Sequence, residues 1–202
     1  MVADAPFPAA RDVGVYILAG GASRRMGHSK ARLELDGEAV ARVLARRFAP
    51  HVASVSLVVK RESEYRDLGM PLLCDATPEH ALVHGIRTVL ESSGPAWRLL
   101  LACDMPDVGP ALLSALWHTA QRTGALGSCP RLDEARGLEP LPSLWHRDLR
   151  AAMRPEWGLT ARTWVQRARL APWEPGPMEI STLQNINTAD AWAQYIARRR
   201  VT

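Results

Sequence analysis

The chain has 202 residues, of which 47% are hydrophobic and 23% charged. That is enough apolar material for one sizeable core and too much for a disordered segment. The net charge of +4, from 25 basic and 21 acidic residues, is small and dispersed, which argues against a nucleic-acid binder and gives only a weak bias toward anionic small molecules.

Residues 13–18 are apolar and partly β-branched and run straight into Gly20-Gly21, which reads as a buried strand feeding a loop. Residues 38–48 carry Val40, Val43, Leu44 and Phe48 at helical spacing and stop before Pro50. A second strand is expected at 55–59 and a short third at 70–73, ending at Cys74-Asp75. Residues 81–90 place Leu82, Ile86, Val89 and Leu90 on one helical side. Residues 97–102 form an apolar strand interrupted only by Arg98 and closed by Cys103-Asp104-Met105-Pro106. Pro110 then opens a helix expected to reach Thr119.

Strand and helix thus alternate through the first 120 residues. The strands are continuous apolar runs, as a parallel sheet covered on both faces requires. The expected fold class is α/β: a single-domain three-layer sandwich with a mostly parallel, Rossmann-like sheet and right-handed crossovers. From residue 124 to 184 prolines are frequent. Short strands are expected near Leu126 and at 141–145, helices near 147–153 and 161–170, and a last helix after Asn187-Thr188 with Trp192, Tyr195 and Ile196 turned inward. The Arg198-Arg199-Arg200 run suits the negative end of that helix. One domain over 1–202 is the economical division, with no repeat or low-complexity linker.

Ligand sites of open α/β sheets lie beyond the carboxyl ends of the strands. Three such ends carry polar signals: Gly20-Gly21, Asp75 and Asp104. The loop is neither a Walker A motif nor G-x-G-x-x-G. Its two glycines let backbone N–H groups approach phosphate oxygens, and Ser23, Arg24, Arg25 and Lys30 add donors and positive charge. An ordinary strand-to-helix turn with solvated basic residues would have the same composition. Asp104, between an apolar strand and Met105-Pro106, has the chemistry of a magnesium ligand and equally that of a turn or cap residue.

Other groups point to no chemistry of their own. His80 and His84 are four apart but lack H-E-x-x-H or a third ligand, so they read as structural. His28 reads as a loop histidine, and the seven tryptophans as core or cleft packing. Cys74, Cys103 and Cys129 are odd in number and lack C-x-x-C, so they read as core or near-core thiols of a reducing compartment. With no leader-like start and no apolar run near the ~20 residues of a membrane span, a cytoplasmic protein is expected.

Leu18-Ala19-Gly20-Gly21-x-Ser23-x-Arg25-Met26-Gly27-x-x-Lys30 resembles the signature of the MobA-like nucleotidyltransferases. Ala102-Cys103-Asp104-Met105-Pro106 resembles that family's metal-binding turn, and Asn185-Ile186-Asn187-Thr188 its C-terminal Asn-x-Asn-Thr motif. Within the family, Leu-Ala-Gly-Gly is similar to the guanylyltransferases of molybdenum cofactor synthesis, whereas cytidylyltransferases more often carry Leu-Ala-Ala-Gly.

The resemblance implies transfer of GMP from GTP to molybdopterin with magnesium on Asp104. Leu18, Ala19, Gly20, Gly21, Lys60 and Asp75 would serve the nucleotide, and Arg25 and Lys30 its phosphates. Asn185 and Asn187 would face the acceptor. It also implies a nucleotide part at about 13–120, an acceptor part at about 121–202, a monomer or weak oligomer, and transient contact with cofactor-insertion proteins. Three positions depart from the family pattern: Lys60 where Asn is usual, 81–85 (Ala-Leu-Val-His-Gly) where Gly-Pro-Leu-Ala-Gly is usual, and Ala189 where Pro is usual.

Overall fold

The computed structural model describes residues 8–19, 29–77, 79, 81–135, 137–154, 158 and 160–200. In chain order the strands are β1 (Val13–Leu18), β2 (Glu34–Leu35), β3 (Glu38–Ala39), β4 (Ser54–Val59), β5 (Leu72–Cys74), β6 (Trp97–Ala102), β7 (Gly127–Asp133), β8 (Gly137–Leu138), β9 (Ser143–His146) and β10 (Ala171–Trp173). The α-helices are α1 (Val40–Phe48), α2 (Leu82–Glu91), α3 (Pro110–Thr123), α4 (Ala161–Arg167), α5 (Pro177–Thr182) and α6 (Ala189–Arg199).

The main sheet runs β10-β7-β9-β6-β1-β4-β5, with β8 on the side of β7, while β2 and β3 form a separate hairpin. Pairing is parallel except where β9 lies antiparallel to β6 and β7, and where β8 meets β7. Strand residues alternate between two cores. Val13, Val15 and Ile17 meet α1, α3 and α6 on one face through Leu44, Phe48, Leu113, Leu116 and Trp192. Tyr16, Val58 and Leu100 meet α2 and α4 on the other through Ile86, Val89, Trp164 and Val165. Three layers and a mostly parallel sheet are what the continuous apolar strands implied.

The helix ends follow local chemistry. Pro110 opens α3, and Gly124 at φ 67° closes it, its N–H on the carbonyls of Ala120 and Gln121. Thr188 caps α6, its hydroxyl accepting the Ala191 N–H at 3.1 Å. Gly127 is required where β7 crosses β9, since a Cβ there would stand 2.4 Å from the Leu144 carbonyl oxygen.

Several expectations need correction. Residues 38–39 pair with β2, so the first helix starts at Val40. The third strand is Leu72–Cys74, and α3 continues four residues past Thr119 to Thr123. The strand expected near Leu126 is the seven-residue β7, and the helix expected at 147–153 is a 3-10 helix over Arg147–Ala152. Cys103 and Cys129 are buried but Cys74 is exposed, because it ends an edge strand. Arg98 does not interrupt β6: it is 2% exposed, and its guanidinium donates to the carbonyls of Val89, Ser92 and Pro95.

Candidate active site

Four neighbouring strands end on one edge of the sheet. Leu18 of β1 lies in register with Ala102 of β6 and Val58 of β4, and Val59 lies in register with Cys74 of β5. Ala19, Lys60 and Asp75, the next residues of β1, β4 and β5, and Asp104, two past the end of β6, therefore line one edge. From β1 the chain steps outward to β4 and β5, then returns to β6 on the other side of β1. This reversal is the topological switch point where open α/β sheets bind ligands. Three strand spacings separate the β6 and β5 ends, about 14 Å, a span suited to an extended nucleotide.

At the β1–β6 crevice, residues distant in sequence converge. The Lys30 ammonium lies 2.9 Å from Asp104 Oδ2 and donates at 2.6 Å to Asn187 Oδ1. Lys30 opens a 3-10 turn, Lys30–Arg32, held from both sides. The Tyr65 hydroxyl donates to Ser29 Oγ at 2.8 Å, and Arg32 pairs with Asp67 at 2.6 Å. The turn after β6 is braced by the Arg47 guanidinium on the Pro106 and Val108 carbonyls, at 2.8 and 2.6 Å. The Ile186 N–H donates to the Asp104 carbonyl at 2.8 Å, which docks the Asn-x-Asn-Thr segment onto the acidic turn.

The other oxygen of Asp104, Oδ1, is buried and has no hydrogen-bond partner among the described residues. A carboxylate oxygen left this way in a native site calls for an unseen cation or donor. No group of three or more His, Cys, Asp or Glu side chains that could hold a metal occurs among the described residues. A single carboxylate completed by phosphate oxygens and water is a usual magnesium arrangement. The donor set therefore fits a hard divalent cation and not a structural zinc. Burial, with the Asp104 charge adding to it, pushes the neighbouring Cys103 thiol up to about 12, so no thiolate nucleophile forms there near neutral pH.

On the β5 side, Lys60 and Asp75 form an ion pair at 2.8 Å, with side chains 15% and 5% exposed. Burial works to raise the Asp75 carboxyl, but hydrogen bonds from Lys60 and Thr77 outweigh it and hold the group below its usual value. His84, in the first turn of α2, has a buried Nε2 without a hydrogen-bond partner among the described residues, 3.9 Å from Glu79 Oε2. Leu18 is half-buried and Ala19 buried.

Beyond the acidic turn opens a cleft of about 360 Å³ lined by Met105, Leu132, Glu139, Arg162 and Asn185. Arg162 and Glu139 pair across it at 2.9 Å. A larger, mainly apolar cleft of about 430 Å³ lies at the opposite, amino-terminal edge of β4 and β5, away from the strand ends that carry polar groups.

The structure thus brings Lys30, Asp104 and Asn187 into contact, pairs Lys60 with Asp75, and places Asn185 on the adjoining cleft. Gly20, Gly21, Arg25, His28 and His80 lie outside the described residues. Sequence reasoning missed Thr77, Glu139 and Arg162. Glu139 and Arg162 are 23 residues apart in a proline-rich stretch without periodicity, so no local signal pairs them.

A mostly parallel α/β sheet with basic and acidic groups meeting at its switch point defines a nucleotide-binding enzyme of the nucleotidyltransferase type. The sequence profile of the MobA-like NTP transferase domain matches residues 15–171, and the chain belongs to that family and is a nucleotidyltransferase. A probable molybdenum cofactor guanylyltransferase of Chloroflexus aggregans is 30% identical over 187 residues, covering 86% of this chain and 88% of that protein. The molybdenum cofactor guanylyltransferase of Rhizobium meliloti is 28% identical over 205 residues, covering 91% and 93%. Among solved structures, molybdopterin-guanine dinucleotide biosynthesis protein A of Archaeoglobus fulgidus superposes with a TM-score of 0.73 at 21% identity, over 94% of this chain and 100% of that one. The 2-C-methyl-D-erythritol 4-phosphate cytidylyltransferase of Thermus thermophilus gives 0.66 at 17% identity, over 94% and 99%; the fold is shared across bases and acceptors. No helix among the described residues is long and apolar enough to cross a membrane.

Proposed function

We propose that this protein transfers the GMP unit of GTP to the terminal phosphate of the molybdopterin cofactor, giving the guanine dinucleotide cofactor and pyrophosphate. The observation that carries the reading is the meeting of Lys30, Asp104 and Asn187 at the switch point. There the phosphate-binding side of the sheet touches the C-terminal motif that faces the second cleft. The nucleotide part, about 13–120, would hold GTP along the β1, β4 and β5 ends. The part from about 121 to 202 would hold the acceptor in the cleft lined by Asn185, Glu139 and Arg162.

In the reaction, an oxygen of the acceptor phosphate attacks the α-phosphorus of GTP, and the bond to the β-phosphate oxygen breaks. The attacking group is already anionic, so the chain need supply no strong base. Its work is to align two anions and offset their charge. Leu18, Ala19, Gly20 and Gly21 would seat the nucleotide, and Arg25 would spread phosphate charge. Lys30, held between Asp104 and Asn187, places an ammonium between the two substrates. Asp104 would hold magnesium through its free Oδ1, and the ion supplies charge neutralisation for the phosphates and the leaving pyrophosphate.

A thermal-shift series with GTP, CTP, ATP and UTP, each with and without magnesium, tests the nucleotide assignment. A ligand at a hundredfold its Kd stabilises by about 2.7 kcal/mol, which for a chain this size raises Tm by roughly 5–10 °C. GTP with magnesium is expected to give that shift. A shift with CTP alone would replace guanine by cytosine in the reading, and no shift with any nucleotide would remove it.

A further inference from the structure

Lys60 stands where the family pattern has Asn, and its ammonium is surrounded by oxygens of this chain. It lies 2.8 Å from Asp75 Oδ2, 2.9 Å from the Thr77 carbonyl, 3.0 Å from Thr77 Oγ1 and 2.7 Å from the Glu79 carbonyl. An ammonium has three protons to donate. Four acceptors inside 3.0 Å leave it none for a nucleotide.

What Lys60 does instead is close a ring. It ties the end of β4 to Asp75, Thr77 and Glu79, which lie between β5 and α2 in the chain. Asp75 is anchored from three sides. Its backbone N–H continues the ladder to the Val59 carbonyl at 2.8 Å. Its Oδ1 accepts from the Thr77 N–H at 3.2 Å and the Thr77 hydroxyl at 2.5 Å, and its Oδ2 faces Lys60. A carboxylate has about four acceptor positions, so one remains open on Oδ2. In α2, Gly85 packs against Leu18 so closely that a Cβ there would stand 3.2 Å from Leu18 Cδ2. The ring and the Gly85–Leu18 contact thus lie at the same strand-end edge.

We propose that Lys60 is a positioning residue of the nucleotide site, one that holds Asp75 as a fixed, ionised acceptor and keeps the turn after β5 closed instead of touching the nucleotide. This rests on the reading of the β1, β4 and β5 ends as the nucleotide site. Its physical basis is that a carboxylate as buried as Asp75 stays charged only beside a cation. Without Lys60 the burial that works to raise the Asp75 carboxyl is opposed only by the Thr77 hydrogen bonds, so the group rises. Asp75 is faced by Lys60 from β4 and by Thr77 from its own turn, and Lys60 also meets the carbonyl of Glu79, whose carboxylate lies 3.9 Å from His84 of α2.

The test is calorimetric GTP binding with magnesium between pH 6 and 8, for the wild-type protein, Lys60→Met, Lys60→Arg and Lys60→Met/Asp75→Asn. Titration of GTP is common to all four and cancels in ratios to wild type. Lys60→Met is expected to weaken binding at least tenfold at pH 6, with the ratio to wild type shrinking as pH rises and Asp75 deprotonates. Lys60→Arg retains a cation, so its ratio should not vary with pH. The double variant has no carboxyl to titrate and should lose the slope.

Equal affinity in Lys60→Met, or a loss of affinity that does not change with pH, would overturn the proposal. Should Lys60→Met fail to fold, Thr77→Val removes one contact to each partner of the pair without a charge change. A three- to tenfold rise in Kd would then support the proposal and an unchanged Kd would overturn it. Wild-type protein that binds no nucleotide would fail the underlying reading and take this inference with it.

Discussion

Replacing Asp104 by Asn is expected to lower guanylyl transfer by a thousandfold or more, about 4 kcal/mol of transition-state stabilisation, while the protein stays folded. Asn matches Asp in shape but is a weak ligand for a hard cation. The backbone bond from Ile186 N–H to the Asp104 carbonyl does not depend on the side chain. Lys30 keeps Asn187 as a partner, and an amide oxygen at position 104 can still accept from it, so the substitution should cost about 1–2 kcal/mol of stability. Turnover is read with saturating GTP and magnesium, and folding by Tm. Activity within tenfold of wild type at unchanged Tm would show that the orphaned Oδ1 is not the metal contact.

The second large effect is on stability and lies far from the chemistry. Arg98→Ala should destabilise the fold by about 3 kcal/mol and lower Tm by roughly 6–12 °C. The guanidinium, 2% exposed, donates to the Val89 carbonyl at 2.7 Å and the Ser92 carbonyl at 2.8 Å, with Pro95 at 3.3 Å. Val89 belongs to the last turn of α2, whose carbonyls have no partners within the helix. Arg98 therefore caps α2 at its negative pole and binds it to the sheet. Alanine removes the donor those oxygens share, leaving Val89 only the Ser92 hydroxyl at 2.8 Å, and removes the packed stem. Arg98 precedes Asp104 by six residues, about 20 Å of extended chain, so GTP affinity of the folded variant should stay within twofold. Thermal melting and calorimetric binding on one preparation separate the two effects.

Arg98 also shows what the sequence could and could not reveal. Its place in an apolar run was plain, but its carbonyl partners depend on how α2 ends against β6. The alternation of the first 120 residues was legible because long apolar runs are punctuated by Gly20-Gly21, Pro50 and Pro110. The β2–β3 hairpin was not, since two-residue strands have no period to read. Pro130 inside β7 and Pro172 in the edge strand β10 concealed the far side of the sheet, because proline argues against strand unless the position tolerates a missing N–H.

In the site, Asp75 and Asp104 were visible as acidic strand ends. Asn187 entered only through a family motif, because 157 residues separate it from Lys30. Lys60 entered as a nucleotide contact only through its place in the family pattern, where Asn is usual. Only the closed turn shows its ammonium enclosed by Thr77, Glu79 and Asp75.

The most direct measurement of the central claim is a transfer assay with molybdopterin-bound cofactor, magnesium, and GTP labelled separately at the α- and γ-phosphates. Guanylyl transfer predicts that the α-label appears in a guanine dinucleotide of the cofactor and the γ-label in pyrophosphate, in equal amounts. It also predicts that CTP gives at most a small fraction of that rate. The γ-label released as orthophosphate, or a cytosine dinucleotide formed faster than the guanine one, would contradict it.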